Sequence, residues 1–188
     1  SNWADKAGHD HNATQATAGH QPEIRKQLLP NPALNLLRFD GNQSLAFSAI
    51  NQVRTGFWVA ERGDGISGNS AFFAEAADGA TWGWHYTGRI QWGAHGNIAN
   101  GLQRRDGENI DFGTHGSFLG ELQVISLRTT DFVAADVIGK RIDNADYYFT
   151  GKIGEILIYD RALTDSEIRL VEQYLGSKWG IALNQEPE

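Results

Sequence analysis

Aromatic rings and hydrogen-bonding side chains crowd into fourteen residues near the middle of the chain: Trp82, Trp84, His85, Tyr86, Arg89, Trp92 and His95. Sugars present C–H faces that stack on aromatic rings, and hydroxyls that bond to polar groups such as those of His and Arg. Trp and Tyr combine an apolar ring with a polar tip, which suits a groove that is partly exposed to solvent. The pattern predicts a carbohydrate-binding surface that consists of Trp82, Trp84, His85, Tyr86, Arg89 and Trp92.

The same aromatic residues also fit a structural role. Trp82, Trp84 and Tyr86 occupy alternate positions of a predicted strand and therefore share one face. If that face packs into the core, His85 and Arg89 remain on the solvent side as the ligand-binding set. The sequence leaves open which face is the core.

Carboxylates at the spacing that sugar cleavage needs are not found. A retaining glycosidase holds two carboxyl groups about 5 Å apart. Glu108 and Asp111 have the wrong spacing to share one face of a strand, and they lie in glycine-flanked, loop-like sequence. Glu155 lies inside a predicted strand, where we expect a structural role. His85, Arg89 and Tyr86 are the set that a polysaccharide lyase could use, but neighbours on a strand point to opposite faces. We therefore predict that the chain is not an enzyme.

The elements that must position these residues are mostly strands. Glycine is frequent, at 22 of 188 residues, and proline is rare, at 4. Apolar alternation predicts strands at 45–49, 55–60, 81–87, 121–127, 132–138 and 152–159, as in a sandwich or barrel. Residues 152–159 are apolar on both faces, which predicts a central strand with Leu157 and Ile158 both buried. Alternation places Ile156 and Ile158 on one face, and Ile153, Leu157 and Tyr159 on the other.

One helix has clear start signals. Thr164 is the predicted N-cap, Glu167 completes a capping box, and Leu163 and Ile168 form a hydrophobic staple. Ile168, Val171, Tyr174 and Leu175 then form an apolar face at helical spacing. Gly176 is the predicted C-terminal stop.

Composition narrows the classes of partner. The 188 residues include 23 acidic and 16 basic side chains, a formal charge of −7. A basic surface for nucleic acid is therefore not expected. No apolar run approaches the roughly 20 residues that span a bilayer, so we expect no membrane span. The absence of cysteine excludes disulfides and thiol catalysis.

Motifs at both ends of the chain resemble one family. The N-terminal half carries Trp3-Ala-Asp5, Gln21-Pro22 and Leu37-Arg-Phe39-Asp-Gly41. The C-terminal part reads Phe149-Thr-Gly-Lys-Ile-Gly-Glu-Ile-Leu-Ile-Tyr159, then Arg161-Ala-Leu-Thr164, then Tyr174-Leu-Gly-Ser-Lys-Trp-Gly-Ile181. In these segments the chain is similar to bacterial LamG-like, concanavalin A-like lectin/glucanase domains. The resemblance is specific at both ends and vague from about residue 61 to residue 120.

The resemblance implies an all-β, concanavalin A-like jelly-roll sandwich of two antiparallel sheets with one short C-terminal helix. It implies one LamG-like domain over residues 1–183, with 184–188 as the start of a linker. Family members have a strand upstream of the landmark that Trp3 matches. Because Trp3 is almost the first residue here, we expect that strand to be missing from this chain or the domain to close differently.

The resemblance and the aromatic cluster together predict a function. We expect a non-catalytic carbohydrate-binding or adhesion module of a larger secreted or cell-surface bacterial protein, located outside the cell or on its surface. Its partners are then a polysaccharide or glycan and other domains of the parent chain. One alternative is a structural or protein–protein interaction domain that binds no sugar, and another is a polysaccharide-degrading enzyme.

Calcium is the candidate cofactor that the resemblance implies. Related domains often place calcium between the Phe-Asp-Gly turn and an acid beside the late-strand Glu. Asp40 and Asn42 match the turn, and oxygen ligands of this kind suit Ca²⁺. The late-strand position is Gly154, so one expected ligand is missing. The competing interpretation is an Asx-type turn of Asp40 with Gly41.

Overall fold

The structure, a computed structural model, describes residues 2–27, 33–63, 69–74, 81–85, 96–111, 114, 120–140 and 148–184. Of 69–74 and 81–85 it describes the backbone. These residues are mostly antiparallel β-sheet with one helix of more than a single turn, so the all-β prediction is confirmed at that level. The strands are β1 Asn2–Trp3, β2 Ala13–Thr14, β3 Glu23–Lys26, β4 Asn35–Asp40, β5 Leu45–Arg62, β6 Asn69–Ala74, β7 Thr81–His85, β8 Leu102–Arg105, β9 Glu108–Asn109, β10 Leu122–Ile138 and β11 Thr150–Tyr159. The helices are a 3-10 turn at Ala18–His20, α1 Gly96–Ala99 and α2 Asp165–Trp179.

The strands form one hydrogen-bonded path in the order β3-β4-β11-β5-β10-β6-β7, and every pairing along it is antiparallel. Strand β2 joins β5, and β8 joins β10, off this path. Strand β11 lies between β4 and β5, so its predicted central position is confirmed. The division of the strands into the two sheets of a jelly roll stays a prediction.

Two strands are much longer than the sequence predicts. Residues 45–49 and 55–60 belong to the single strand β5, and residues 122–127 and 132–138 belong to β10, which begins one residue later than the predicted 121. The two strands pair from Leu122 opposite Glu61 to Ile138 opposite Leu45, with three register irregularities between Arg128 and Val137. Extra residues in a pairing bend the strand. These long, bent strands therefore supply residues to the core along their whole length.

Two apolar clusters lie on opposite faces of β5. Trp58 and Ala60 belong to the cluster that also holds Phe39 and Ile125, here called the inner core. Phe57 and Val59 belong to the cluster that packs against α2, here called the helix core and also containing Leu36, Val124, Leu163, Ile168, Leu175 and Trp179. Fully burying a large apolar side chain contributes roughly 1.5–3 kcal/mol. This stretch of β5 is therefore held firmly from both sides.

A bulge in β11 corrects the predicted faces of that strand. The register with β5 shifts between Ile153 and Glu155, so one extra residue enters β11 at this point. As a result Ile153 packs in the inner core together with Ile156 and Ile158, and not with Leu157 and Tyr159 as strict alternation predicts. Leu157 packs against the helix core and Ile158 against the inner core, and both are partly rather than fully buried.

Helix α2 begins as predicted and ends later. Thr164 is the N-cap, and the reciprocal bonds of a capping box with Glu167 are present. The predicted stop at Gly176 is wrong, because the helix continues to Trp179 and ends at Gly180 with a left-handed φ of 68°. Gly176 is buried inside the helix, where an added Cβ would lie 3.0 Å from the Leu183 side chain of the returning tail. Its small size therefore makes room for the tail.

The buried face of α2 also differs from the predicted one. Ile168 and Leu175 are buried, but Tyr174 is 51% exposed. Glu172 lies buried on this face between them. An ionisable residue therefore occupies a core position that the apolar pattern does not reveal.

Candidate functional site

The predicted sugar-binding residues divide between a strand and residues outside the described part of the chain. Trp82, Trp84 and His85 lie in β7, which pairs with β6 so that Trp84 is opposite Ser70 and His85 is opposite Asn69. Tyr86, Arg89 and Trp92 lie outside the described residues. Strand β7 is the last strand in the order of the sheet path. Ligand binding by these residues stays a prediction, and it stays open which face of β7 packs into the core.

The turn at Asp40 and Asn42 is held by other side chains. Arg38 forms an ion pair with the Asp40 carboxylate at 2.9 Å. The side-chain carbonyl of Gln43 accepts hydrogen bonds from the backbone N–H groups of Asp40, at 2.6 Å, and Asn42, at 3.3 Å. The Asn42 side chain donates to the Gly19 carbonyl at 3.4 Å. Gln43, two residues beyond the Asp-Gly pair, therefore closes this turn.

Gly154, the strand position beside Glu155, is packed against the end of α2. A Cβ added at Gly154 would lie 2.5–2.8 Å from three atoms of the Trp179 ring. The Glu155 carboxylate accepts from the Trp179 indole N–H at 2.8 Å and from the Lys178 ammonium at 2.9 Å. Glu155 therefore ties β11 to α2. Among the described residues, no three His, Cys, Asp or Glu side chains come together as a metal site would require, and calcium at Asp40 and Asn42 stays a prediction.

Replacing Gly154 by alanine is expected to lower the free energy of unfolding by about 1–3 kcal/mol, the usual cost of overpacking. The added methyl group must displace the buried Trp179 ring, which lies within 2.8 Å of it. Urea unfolding followed by tryptophan fluorescence measures this loss. Gly19→Ala is the matched control, because nothing lies within 4 Å of its added Cβ. Equal stability of the two variants would show that Trp179 does not need the space at Gly154.

An open cleft of 1240 Å³ lies on the α2 side of the sheet, next to the end of the helix. Its floor carries Arg38, Lys152 and Glu61, which are aligned across β4, β11 and β5. Ile153, the neighbour of Lys152, packs in the inner core, so Lys152 points to the opposite face. The walls include Arg25 of β3 and the chain from Trp179 to Ala182. The sequence gives no signal for this cleft, because it is assembled from distant segments.

A buried ion pair lies beneath α2. The guanidinium of Arg104 in β8 donates from Nε to Glu172 Oε1 at 2.9 Å, and these side chains are only 6% and 2% exposed. The Ser126 hydroxyl donates to the same carboxylate at 2.7 Å, and the Arg104 guanidinium also donates to Asn109 and to the Gly107 carbonyl. The network therefore joins α2, β8 and β10 into one unit.

Asp106 is the second buried acid of this region. It adopts a left-handed φ of 51°, and its carboxylate accepts from the Val124 N–H at 2.8 Å. Burial raises the pKa of Asp106 to about 6, although the Val124 bond and the nearby Arg105 charge act in the opposite direction. Its backbone carbonyl accepts from the Asn184 N–H at 2.6 Å. Asp106 therefore anchors the C-terminal tail.

Asp5 organises the N-terminal loop. Its carboxylate accepts from the backbone N–H groups of Ala7, His9 and His11 at 2.8, 2.9 and 3.3 Å. These bonds, with that of Ala7 foremost, lower the pKa of Asp5. The His11 ring then contacts Ser48 of β5 at 2.9 Å. Asp5 therefore has a structural role, because it orders the loop whose His11 ring contacts the sheet.

Within the part of the chain that the structure describes, no helix has the length and apolar character to cross a membrane. Comparison of the chain with models of known protein families gives no match, and comparisons with curated proteins and with solved structures give none either.

Proposed function

We propose that the chain is a LamG-like, concanavalin A-like jelly-roll domain that serves as a non-catalytic carbohydrate-binding or adhesion module of a larger secreted or cell-surface protein. The observation that carries the proposal is the position of Trp82, Trp84 and His85 on the terminal strand β7 of an all-β sheet path. Along that path β7 pairs with a strand on one side only, which is β6. Trp and His are residue types that can stack on sugars and form hydrogen bonds with them.

The scaffold supports this role because it is rigid. Strands β5 and β10 pair over most of their length, and Phe57, Trp58, Val59 and Ala60 are all fully or almost fully buried. Binding groups that are mounted on packed strands keep their geometry better than groups on loops. Strand β7 reaches β10 through β6, where Ala74 pairs with Val137.

Three carboxylates, two on strands and one on α2, are engaged by structural partners, which supports binding rather than catalysis. Glu155 accepts from Trp179 and Lys178, and Glu61 is paired with Lys152 at 2.7 Å. Glu172 is buried against Arg104. Each of these acids is held by a structural partner, whereas a glycosidase needs two carboxyl groups facing a substrate.

A protein-interaction role is the second candidate, and an exposed patch on α2 favours it. Leu170 is 65% exposed and Tyr174 is 51% exposed, and residues four apart on a helix lie side by side. The Lys178 ammonium lies 5.2 Å from the centre of the Tyr174 ring. Such a patch could contact a neighbouring domain of the parent chain.

Binding to a panel of polysaccharides, with and without calcium, tests the proposal. We expect at least one polysaccharide to bind, and Trp84→Ala or His85→Ala to weaken binding at least tenfold in a folded protein. Phe132→Ala is the matched control, because Phe132 is an exposed aromatic residue on β10, 46% exposed and outside β7. If no polysaccharide of the panel binds, the carbohydrate-binding proposal is wrong and the protein-interaction role replaces it. That role predicts that Leu170→Ser weakens a contact with a neighbouring domain.

A further inference from the structure

The open cleft beside the end of α2 carries an unusual arrangement of charges. Two ion pairs lie in the lining of the cleft, Arg38–Asp40 at 2.9 Å and Lys152–Glu61 at 2.7 Å, and a third, Glu23–Arg25 at 2.6 Å, reaches it through Arg25. We call these six residues the ion-pair row, since Glu23 aligns with Arg38, Arg38 with Lys152 and Lys152 with Glu61 across four adjacent strands. Three positive and three negative side chains give the row no net charge. The charged residues that line the cleft are balanced as well, with four basic and four acidic side chains: Arg25, Lys26, Arg38 and Lys152, and Asp40, Glu61, Asp106 and Glu121.

The ion-pair row contributes little to folding by itself. Exposed ion pairs are typically worth about 1 kcal/mol or less, and the Arg38 and Asp40 side chains are 42% and 46% exposed. The Lys152 and Glu61 side chains are 34% and 15% exposed. Because the Arg38, Asp40 and Lys152 side chains remain partly exposed to the cleft, they can form hydrogen bonds with a ligand. Glu61 is largely buried and holds the Lys152 ammonium with both of its carboxylate oxygens.

We propose that this cleft is a second binding site, for a neutral, hydroxyl-rich chain such as a neutral oligosaccharide. Each hydroxyl group both donates and accepts, so it matches a surface on which donors and acceptors alternate. Hydrogen bonds to charged groups are roughly twice as strong as neutral ones. A strongly anionic ligand meets Asp40 and Glu61, and a strongly cationic one meets Arg38 and Lys152.

The dimensions of the cleft favour a chain over a single small molecule. Its volume of 1240 Å³ exceeds the roughly 300–1,000 Å³ of ordinary small-molecule sites. The cleft lies at β3, β4, β11 and β5, whereas β7 joins the other end of the sheet path through β6. A ligand at β7 and a ligand in the cleft would therefore occupy separate surfaces.

This inference rests on the proposed function, because it assumes a glycan ligand, and its test separates the two. Cellohexaose, laminarihexaose and maltohexaose are titrated into residues 1–188 by calorimetry, with hexagalacturonate as the charged comparison. The variant Glu61→Leu/Lys152→Met replaces one ion pair by apolar side chains of similar size. Removing both partners together leaves no unpaired charge, so we expect the fold to persist.

We expect a neutral hexasaccharide to bind in the cleft. The variant Glu61→Leu/Lys152→Met is expected to bind it at least tenfold more weakly, whereas Trp84→Ala is expected to retain binding in the cleft. Arg38→Gln is a smaller change that is also expected to weaken binding. It replaces the double variant in the test if the double variant does not fold. Unchanged binding by the ion-pair variants would overturn the cleft proposal and leave the proposed function standing. A preference for hexagalacturonate would overturn the neutral ligand class. No binding to any hexasaccharide would overturn the cleft proposal, whereas the proposed function is decided by the polysaccharide panel.

Discussion

Replacing Glu172 by alanine is expected to lower the free energy of unfolding by about 3–5 kcal/mol, the usual cost of removing one partner of a buried ion pair. The change leaves the Arg104 guanidinium, only 6% exposed, without its counter-charge. It also deprives the Ser126 hydroxyl of its acceptor. Urea unfolding with linear extrapolation measures the loss directly.

Two controls separate charge burial from other effects of this change. The double variant Arg104→Met/Glu172→Leu removes both charges, and its stability is expected to lie close to that of the parent or above it. Asp165→Ala breaks the Arg128–Asp165 pair, whose acid is 66% exposed, and is expected to cost about 1 kcal/mol or less. A loss for Glu172→Ala as small as that for Asp165→Ala would contradict a tightly desolvated pair.

Replacing Asp106 by asparagine is expected to stabilise the protein by up to about 3 kcal/mol above pH 6, and to have no such effect below about pH 4. Burial raises the pKa of Asp106 in the folded state to about 6 from an ordinary value of 3.8. A raised pKa means that folding favours the protonated acid, so the native state loses stability as the pH rises from about 4 to 6. Each unit by which the pKa differs between the folded and the unfolded state changes the free energy of unfolding by about 1.4 kcal/mol.

The measurement is the difference in unfolding free energy between the two proteins at pH 4, 5, 6 and 8. An asparagine carbonyl can still accept from the Val124 N–H, which bonds to the Asp106 carboxylate at 2.8 Å. Other titrating groups are common to both proteins, so most of their contribution cancels in the difference. A difference that does not change with pH would contradict the raised pKa.

Features set by neighbouring residues were predictable from the sequence. The capping box of Thr164 and Glu167 depends on a spacing of three residues, and it forms as predicted. The central position of β11 followed from the apolar residues on both of its faces, and it is confirmed. In each case the physical cause lies within one turn or one strand.

Features set by distant contacts were not predictable. The side of Ile153 depends on a bulge in the pairing of β11 with β5. Helix α2 runs past Gly176 to Gly180, and the small size of Gly176 makes room for Leu183 of the returning tail. The partner of Glu172 is Arg104, 68 residues away in the chain. Periodicity along one segment carries no information about such partners.

The candidate site divides in the same way. Residue type and spacing alone singled out Trp82, Trp84 and His85, whose binding role stays a prediction, and the backbone of Thr81–His85 is a strand as predicted. The ion-pair row could not be found in this way, because Arg38, Lys152 and Glu61 become neighbours only through strand register. A charged residue at one strand position resembles any solvated residue until its cross-strand partners are known.

The most direct test of the central proposal measures binding and cleavage in the same tubes. Purified residues 1–188 are incubated with neutral and acidic polysaccharides, with and without calcium. Bound protein is determined by co-sedimentation, and new reducing ends and unsaturated products are assayed in the supernatant. A non-catalytic carbohydrate-binding module retains protein on at least one polysaccharide and releases no products, whereas failure to bind any of them, or release of products, would contradict the proposal.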